Sequence, residues 1–374
     1  MPRTLRPHAH HPSRATIRAA ARTAARAALA AGLGVALVAC SAASAEEAAV
    51  NESGKAVLRY DGSVGQVTFP ELAADLGYFE QVELEWVGDS TGGPQSIQAA
   101  ATGSTDFGGA FNGAIVKLKA SGSPITSVIS YYGSDELSYG GFYTVEGSPI
   151  TEPRDLVGKS IGVNTLGAQS EFIIREWLTR GGLSADEIDQ VELVVVPPVN
   201  AEQVLREGQV DVVGLSRVFQ DKALERGGIT QLFSETSLYG NFSYGTYIFR
   251  DEYIEKNPEV VEDFVQGTAR AIRWVQTTPV EEVRARYTSI IEGRGRGENT
   301  DLVPYWKSAS ITAPGGVIAD DEISTWIDWL VREGELDKGR FSPDDIFTNE
   351  YNPYANGTYP QDAGPDGEPV EVAP

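Results

Sequence analysis

The chain has 374 residues, enough for about two domains. Its 53 acidic residues against 30 basic ones give a formal charge of −23, which argues against nucleic acid as a partner, since binding it needs a basic face. Fifteen Tyr, thirteen Phe and six Trp supply a substantial core, and the charge itself reads as a solvated acidic surface.

The first element in chain order is a targeting segment. Arg3, Arg6, Arg14, Arg18, Arg22 and Arg26 make a positive region without an acid, and residues 27–39 follow as an apolar stretch too short to span a bilayer. The stretch ends Leu37-Val38-Ala39-Cys40, a tetrad that resembles a bacterial lipobox. The resemblance implies cleavage before Cys40 and a diacylglycerol on its thiol. Residues 1–39 are thus expected to be a lipoprotein signal peptide, and 40–55, small and acidic, a lipidated and disordered tether. Cleavage would remove His8, His10 and His11, which are all the histidines, and Cys40 is the only cysteine. Ser-His-Asp and Cys-His machinery, His/Cys zinc sites and His general bases are then excluded from the mature chain. No metal, no cofactor and no catalytic residue are expected, and no later stretch of about 20 apolar residues marks a membrane span.

Strand and helix signals then alternate. Residues 57–60 predict a strand, closed by Asp61-Gly62, and 66–75 a helix stopped by Gly77. Residues 82–87 alternate as a second strand. The loop 88–95 opens a helix to Thr102, with Ser90 or Thr91 as its cap and Pro94 in its first turn. The stretch 105–114 holds three glycines and reads as a short buried strand that something approaches closely, delivering Phe111 and Asn112 at its end. A strand over 125–131 and a polar, aromatic loop over 132–141 complete the first run, and 142–145 predicts another strand. A second α/β run follows: strands at 161–163, 191–196, 210–215 and 229–233. Helices are predicted from 164–169 to Arg180, from an Asn200 cap to Gly208, and over 217–226. A returning strand at 244–249, a long helix from Asn257-Pro258 and an amphipathic helix carrying Ile323, Trp326, Ile327 and Leu330 close the fold. Residues 351–374 are rich in Pro, Gly and acid and are expected to wrap the surface and end as a loose tail.

Four stretches in order resemble the type II periplasmic-binding-protein fold, in its branch of sulfonate, taurine, nitrate and thiamine-precursor binding proteins of ABC importers. They are Ala74-Asp75-Leu76-Gly77-Tyr78-Phe79, the run 95–109 with its Gln, small residues and Asp-Phe-Gly, the run 155–163, and the run 205–212. Val157 stands where the family pattern has Lys or Arg. The resemblance covers about 57–335. It implies an α/β protein of two lobes joined by two hinge crossings, with C-terminal helices and a ligand in the cleft. The crossings are expected near 145–148 and 236–241. Lobe one is then 56–145 plus 240–350, and lobe two 146–239. The resemblance also implies a monomer that captures a small-molecule ligand and hands it to permease and ATPase subunits from the outer face of the cell membrane.

Helix N-termini present unpaired N–H groups to an anion, here Thr91, Gly92 and Gly93 in lobe one and Thr165, Gly167 and Gln169 in lobe two. Phe111, Tyr131, Tyr132 and Phe219 are the candidate aromatic contacts. Gln66, Ser90 and Asn112 are the candidate orienting hydrogen-bond groups, and Arg217, just past a strand end, is the candidate cation. Two ligand classes stay open: a sulfonate-like organic anion, and a neutral heteroaromatic such as a thiamine pyrimidine precursor. An enzyme on the same fold is the remaining reading.

Overall fold

The computed structural model describes residues 47–90 and 92–370, so the signal segment, Cys40 and Thr91 lie outside the described residues. The first run is β1 (Ala56–Gly62), α1 (Phe69–Leu76), β2 (Val82–Asp89), α2 (Gly93–Ala101), β3 (Phe107–Phe111), α3 (Asn112–Ala120) and β4 (Ile125–Ser134). The second is β5 (Gly140–Val145), β6 (Ser160–Val163), α4 (Gln169–Arg180), α5 (Ala185–Ile188), β7 (Glu192–Val195), α6 (Pro198–Arg206), β8 (Val212–Ser216), α7 (Arg217–Arg226) and β9 (Ile229–Ser234). Then α8 (Glu235–Tyr239), β10 (Phe242–Arg250), α9 (Asp251–Lys256), α10 (Pro258–Thr277), α11 (Val280–Gly293) and α12 (Asp320–Arg332) follow.

Three sheets result. In the first lobe β1 pairs in parallel with β2, and β10 lies antiparallel between β3 and β4. Asp106 joins the two parts: its amide donates to the Arg59 carbonyl at 2.9 Å, and its carboxylate accepts from the Arg59 amide at 2.7 Å and from the guanidinium at 2.7 and 3.0 Å. In the second lobe the order is β7-β6-β8-β5-β9, with β6 parallel to both neighbours and β5 antiparallel to both of its own.

The glycines of β3 are explained by close approach. A Cβ at Gly108 would stand 2.4 Å from the Ser96 carbonyl oxygen, and one at Gly109 2.7 Å from the Tyr131 ring. It is helix α2 and a neighbouring ring that press on β3 here. Phe107 anchors the first core at the centre of Tyr60, Tyr247, Phe249 and Phe264. A second core carries Phe111 and Phe172 onto Trp326 of α12, so a C-terminal helix packs on both lobes. Fully burying side chains of this size contributes roughly 1.5–3 kcal/mol each.

Several expectations change. β4 runs to Ser134 instead of ending at Tyr131, and β5 pairs within the five-stranded sheet. The first crossing is therefore 135–139, ahead of the expected 145–148. The second runs from β9 through α8 to β10, 235–241. Helix α6 starts at Pro198 with Pro197 as its N-cap, and Asn200 lies inside it. The N-cap of α2 is Gly92 with no side-chain cap, and the Ser90 hydroxyl instead engages the Gly92 backbone. The expected tether is folded from Ala48 onward. Asn51 builds a turn by accepting from the amides of Ser53 and Lys55 at 2.9 Å, and the Ala48 amide donates to Asn257. The C-terminal stretch is likewise held down through residue 370. Tyr354 is buried with its hydroxyl on the Gly364 carbonyl at 2.8 Å, and Arg273 donates to the Ala363 carbonyl.

Candidate ligand-binding cleft

The carboxyl ends of β3, β4, β6 and β8 and the amino ends of β5 and β10 meet around a cleft of about 250 Å³. The first lobe contributes Gly93, Phe111, Tyr132 and Tyr244; the second contributes Phe142, Thr165, Gln169, Arg217 and Phe219. A second hollow of about 180 Å³ lies in the first lobe, lined by Asp61, Ser90, Gly92, Tyr131 and Tyr247 among others, and it shares Gly93 with the cleft. The aromatic wall is built by mutual contact. Tyr131 stacks on Tyr247 with ring centres 3.9 Å apart and meets Tyr132 edge-on at 4.6 Å, and Tyr132 meets Tyr244 edge-on at 4.9 Å.

Of the residues expected from sequence, Gly93, Phe111, Tyr132, Thr165, Gln169, Arg217 and Phe219 line the cleft, and Ser90, Gly92 and Tyr131 line the adjoining hollow. Three do not. Asn112 is fully buried, donates to the Glu322 carbonyl at 2.9 Å and accepts from the Thr246 hydroxyl at 2.9 Å, so both ends of its amide serve the core. Gly167 gives its amide to the Glu171 carboxylate at 2.9 Å and is not part of the cleft lining. Gln66 lies at the edge, where its carbonyl oxygen accepts from Arg217 at 3.4 Å.

Arg217 is the first residue of α7 and holds φ at 50°, in the left-handed region that residues other than glycine rarely occupy. Its side chain is exposed to the cleft, and among the described residues it makes no ion pair. Its field reaches the aromatic wall: burial pushes the Tyr131 phenol well up, the Arg217 charge pulls it down, and Asp61 adds to the rise.

Sequence reasoning missed Glu235. This carboxylate is 4% exposed, opens α8 and lines the cleft. It accepts from the Ser134 hydroxyl, the Gln169 amide, the Gly140 amide at 2.9 Å and the Tyr244 hydroxyl at 3.4 Å. Ser134 and Gly140 flank the first crossing and Glu235 begins the second, so one carboxylate ties both hinges to Gln169 of the second lobe. A Cβ at Gly140 would sit 2.3 Å from a Glu235 oxygen, so a side chain there would displace this carboxylate. No local pattern marks Glu235, because its four donors come from four separate parts of the chain.

The comparisons with known proteins match this architecture. The family described as NMT1/THI5 like matches residues 66–282, more than half of the chain. The chain belongs to that family. A Brucella abortus protein described only as a candidate binding protein is 24% identical over 291 residues, covering 75% of this chain and 86% of its own. The riboflavin-binding protein RibY of Chloroflexus aurantiacus is 21% identical over 297 residues, 77% of this chain and 82% of its own. A 4-amino-5-hydroxymethyl-2-methylpyrimidine phosphate synthase of Saccharomyces cerevisiae is 27% identical over 224 residues, 56% of this chain and 63% of its own. Among solved structures, the alkanesulfonate-binding protein SsuA from Xanthomonas axonopodis, bound to MOPS, superposes with a TM-score of 0.59 at 19% identity, covering 78% of this chain and 98% of its own. That likeness is one of fold: this NMT1/THI5-like chain has the two-lobed periplasmic-binding-protein architecture.

Proposed function

We propose that this chain is the extracytoplasmic solute-binding component of an ABC importer, anchored through a diacylated Cys40, and that it captures a small organic anion of sulfonate type in the interlobe cleft without transforming it. The observation that carries the ligand class is Arg217. A strongly acidic protein places one cation at the cleft, in a strained backbone conformation and without a carboxylate partner among the described residues. Strain of this kind persists where the surrounding structure or the function holds it. Phe111, Tyr132, Tyr244 and Phe219 offer an apolar wall to the body of the ligand, so a bare inorganic ion would leave most of the cleft unused. Binding without chemistry is supported by the sequence, whose histidines all precede Cys40.

A second reading, a neutral heteroaromatic ring, is favoured by one observation. Glu235 and Gln169 place hydrogen-bonding groups against the aromatic wall, as recognition of a ring amine would need. A thermal-shift screen of the purified mature chain over sulfonates, carboxylates and pyrimidines separates the two. A ligand at a hundred times its Kd adds about 2.7 kcal/mol of stability. Shifts from acids support the anion reading, and shifts from neutral rings alone overturn it. Mass spectrometry of the membrane fraction tests the anchor: a mature chain that has lost Cys40 would contradict it.

A further inference from the structure

Gln169 stands on the second-lobe wall of the cleft as the first residue of α4. The strands that lead to it and to Arg217, β6 and β8, are parallel neighbours, so the two side chains share that wall. A glutamine can offer a ligand either its carbonyl oxygen or its amino group. Here a buried neighbour removes the choice. The oxygens of Glu235 are divided among its donors. Oε2 accepts from the Ser134 hydroxyl, the Gly140 amide at 2.9 Å and the Tyr244 hydroxyl at 3.4 Å. Oε1 accepts from Nε2 of Gln169. A carboxylate accepts and does not donate, so Gln169 must turn its amino group to Glu235. The carbonyl oxygen of Gln169 then makes no hydrogen bond among the described residues and is the end left for a ligand. Glu235 is buried beneath four donors, so it acts on the cleft through Gln169.

We propose that Glu235 is a positioning residue that sets the polarity of the Gln169 edge. By holding the amide with its oxygen outward, it selects a ligand that presents a hydrogen-bond donor there, a hydroxyl or an N–H, over one that presents an ether or carbonyl oxygen. This rests on the cleft being the capture site and not on the charge of the ligand. An acceptor brought against that oxygen leaves two desolvated acceptors facing each other, which a site built for a donor rejects. The same geometry states what exchanging one atom does. In Glu235→Gln the three donors that met Oε2 hold the amide oxygen, which places the new amino group on Gln169. Gln169 must then turn over, and the edge becomes a donor.

The test is calorimetric titration of the mature chain, Glu235→Gln and Gln169→Leu with ring probes that differ at one substituent: para-hydroxy-, para-methoxy- and para-methylbenzenesulfonate, and the three neutral benzamides with the same substituents. The wild type is expected to prefer the hydroxyl probe over the methoxy probe by about tenfold. Glu235→Gln keeps the shape of the side chain and should abolish or reverse that preference, whereas a preference set by size would not move. Gln169→Leu leaves Glu235 its other three donors and should favour the methyl probe over the hydroxyl probe, which keeps the test available if the hinge variant fails to fold. No hydroxyl preference in the wild type, or an undiminished one in either variant, overturns the proposal and leaves capture in the cleft standing. The expected pattern among the benzamides, with no sulfonate bound, supports the proposal and overturns the anion reading. Binding of no probe to the wild type overturns the donor-selecting edge, and the thermal-shift screen decides the anion reading on its own.

Discussion

Arg217 holds φ at 50° between β8 and α7, a conformation that costs a residue with a β-carbon roughly 1–2 kcal/mol. Arg217→Ala removes the side chain and keeps that strain, whereas Arg217→Gly removes both. The glycine variant is expected to unfold with about 1 kcal/mol more stability than the alanine variant in denaturant titration, although both have lost the same cation. Glu322 makes a second prediction at this scale. Its carboxyl is 6% exposed, hydrogen-bonded to Ser130, and has one oxygen without a partner among the described residues. Burial raises its pKa to about 7. A carboxyl whose pKa is raised by folding favours the native state when protonated, so its contribution is present at acidic pH and is lost as pH rises toward and through 7. Glu322→Gln is expected to flatten that decline and to melt higher than the wild type at pH 8. An unchanged pH profile would contradict the assignment. Arg217 was legible in the sequence because a cation directly after a strand end is delivered to a cleft. Glu235 was not, because the donors around it converge only in three dimensions.

At the scale of elements, the packing of α2 on β3 sets the position of the cleft floor. Gly108→Ala places a methyl 2.4 Å from the Ser96 carbonyl, which is backbone and cannot turn aside. A loss of about 1–3 kcal/mol is expected, the usual cost of overpacking, and it should be accompanied by weaker ligand binding because Gly93 moves with α2. Thr68→Ala removes a capping box in which the Thr68 hydroxyl accepts from the Glu71 amide and the Glu71 carboxylate accepts in return. It is expected to cost roughly 1 kcal/mol. Helices with strong periodicity or clear end signals, such as α10 and α12, were legible. The short α8 and α9 were not, and Pro197-Pro198 overrode the Asn200 cap because proline is suited to the first turn. The first crossing was misplaced for a different reason. Tyr132-Gly133-Ser134 has the composition of a loop but pairs with β10, and nothing local states which of two sheets β5 joins.

Across the whole molecule, one helix of the second lobe reaches the first at three points. Arg217 meets Gln66, Asp221 pairs with Lys307 at 2.6 Å, and Lys222 lies over the Tyr305 ring at 5.1 Å. Half-exposed pairs of this kind are worth roughly 0–1 kcal/mol. Lys307→Ala is therefore expected to leave the melting temperature nearly unchanged while speeding ligand release by up to about fivefold in stopped-flow dissociation. On the opposite side, Phe172 of α4 packs on Trp326 and Trp329, and Arg332 pairs with Glu176 at 2.6 Å, so the lobes are also joined there. The two-lobed architecture was legible from four short stretches in order, since each is fixed by a strand–helix junction of the scaffold. The ligand was not, since it depends on which charges from distant segments are left unpaired. The most direct measurement is calorimetric titration of the strongest acidic hit from the thermal-shift screen into the wild type and Arg217→Ala at two salt concentrations. The account predicts one site per chain, weaker binding at high salt, and a loss in the variant of roughly 1.5–3 kcal/mol, as for a charged hydrogen bond. Salt-independent binding of equal strength in both proteins would contradict it.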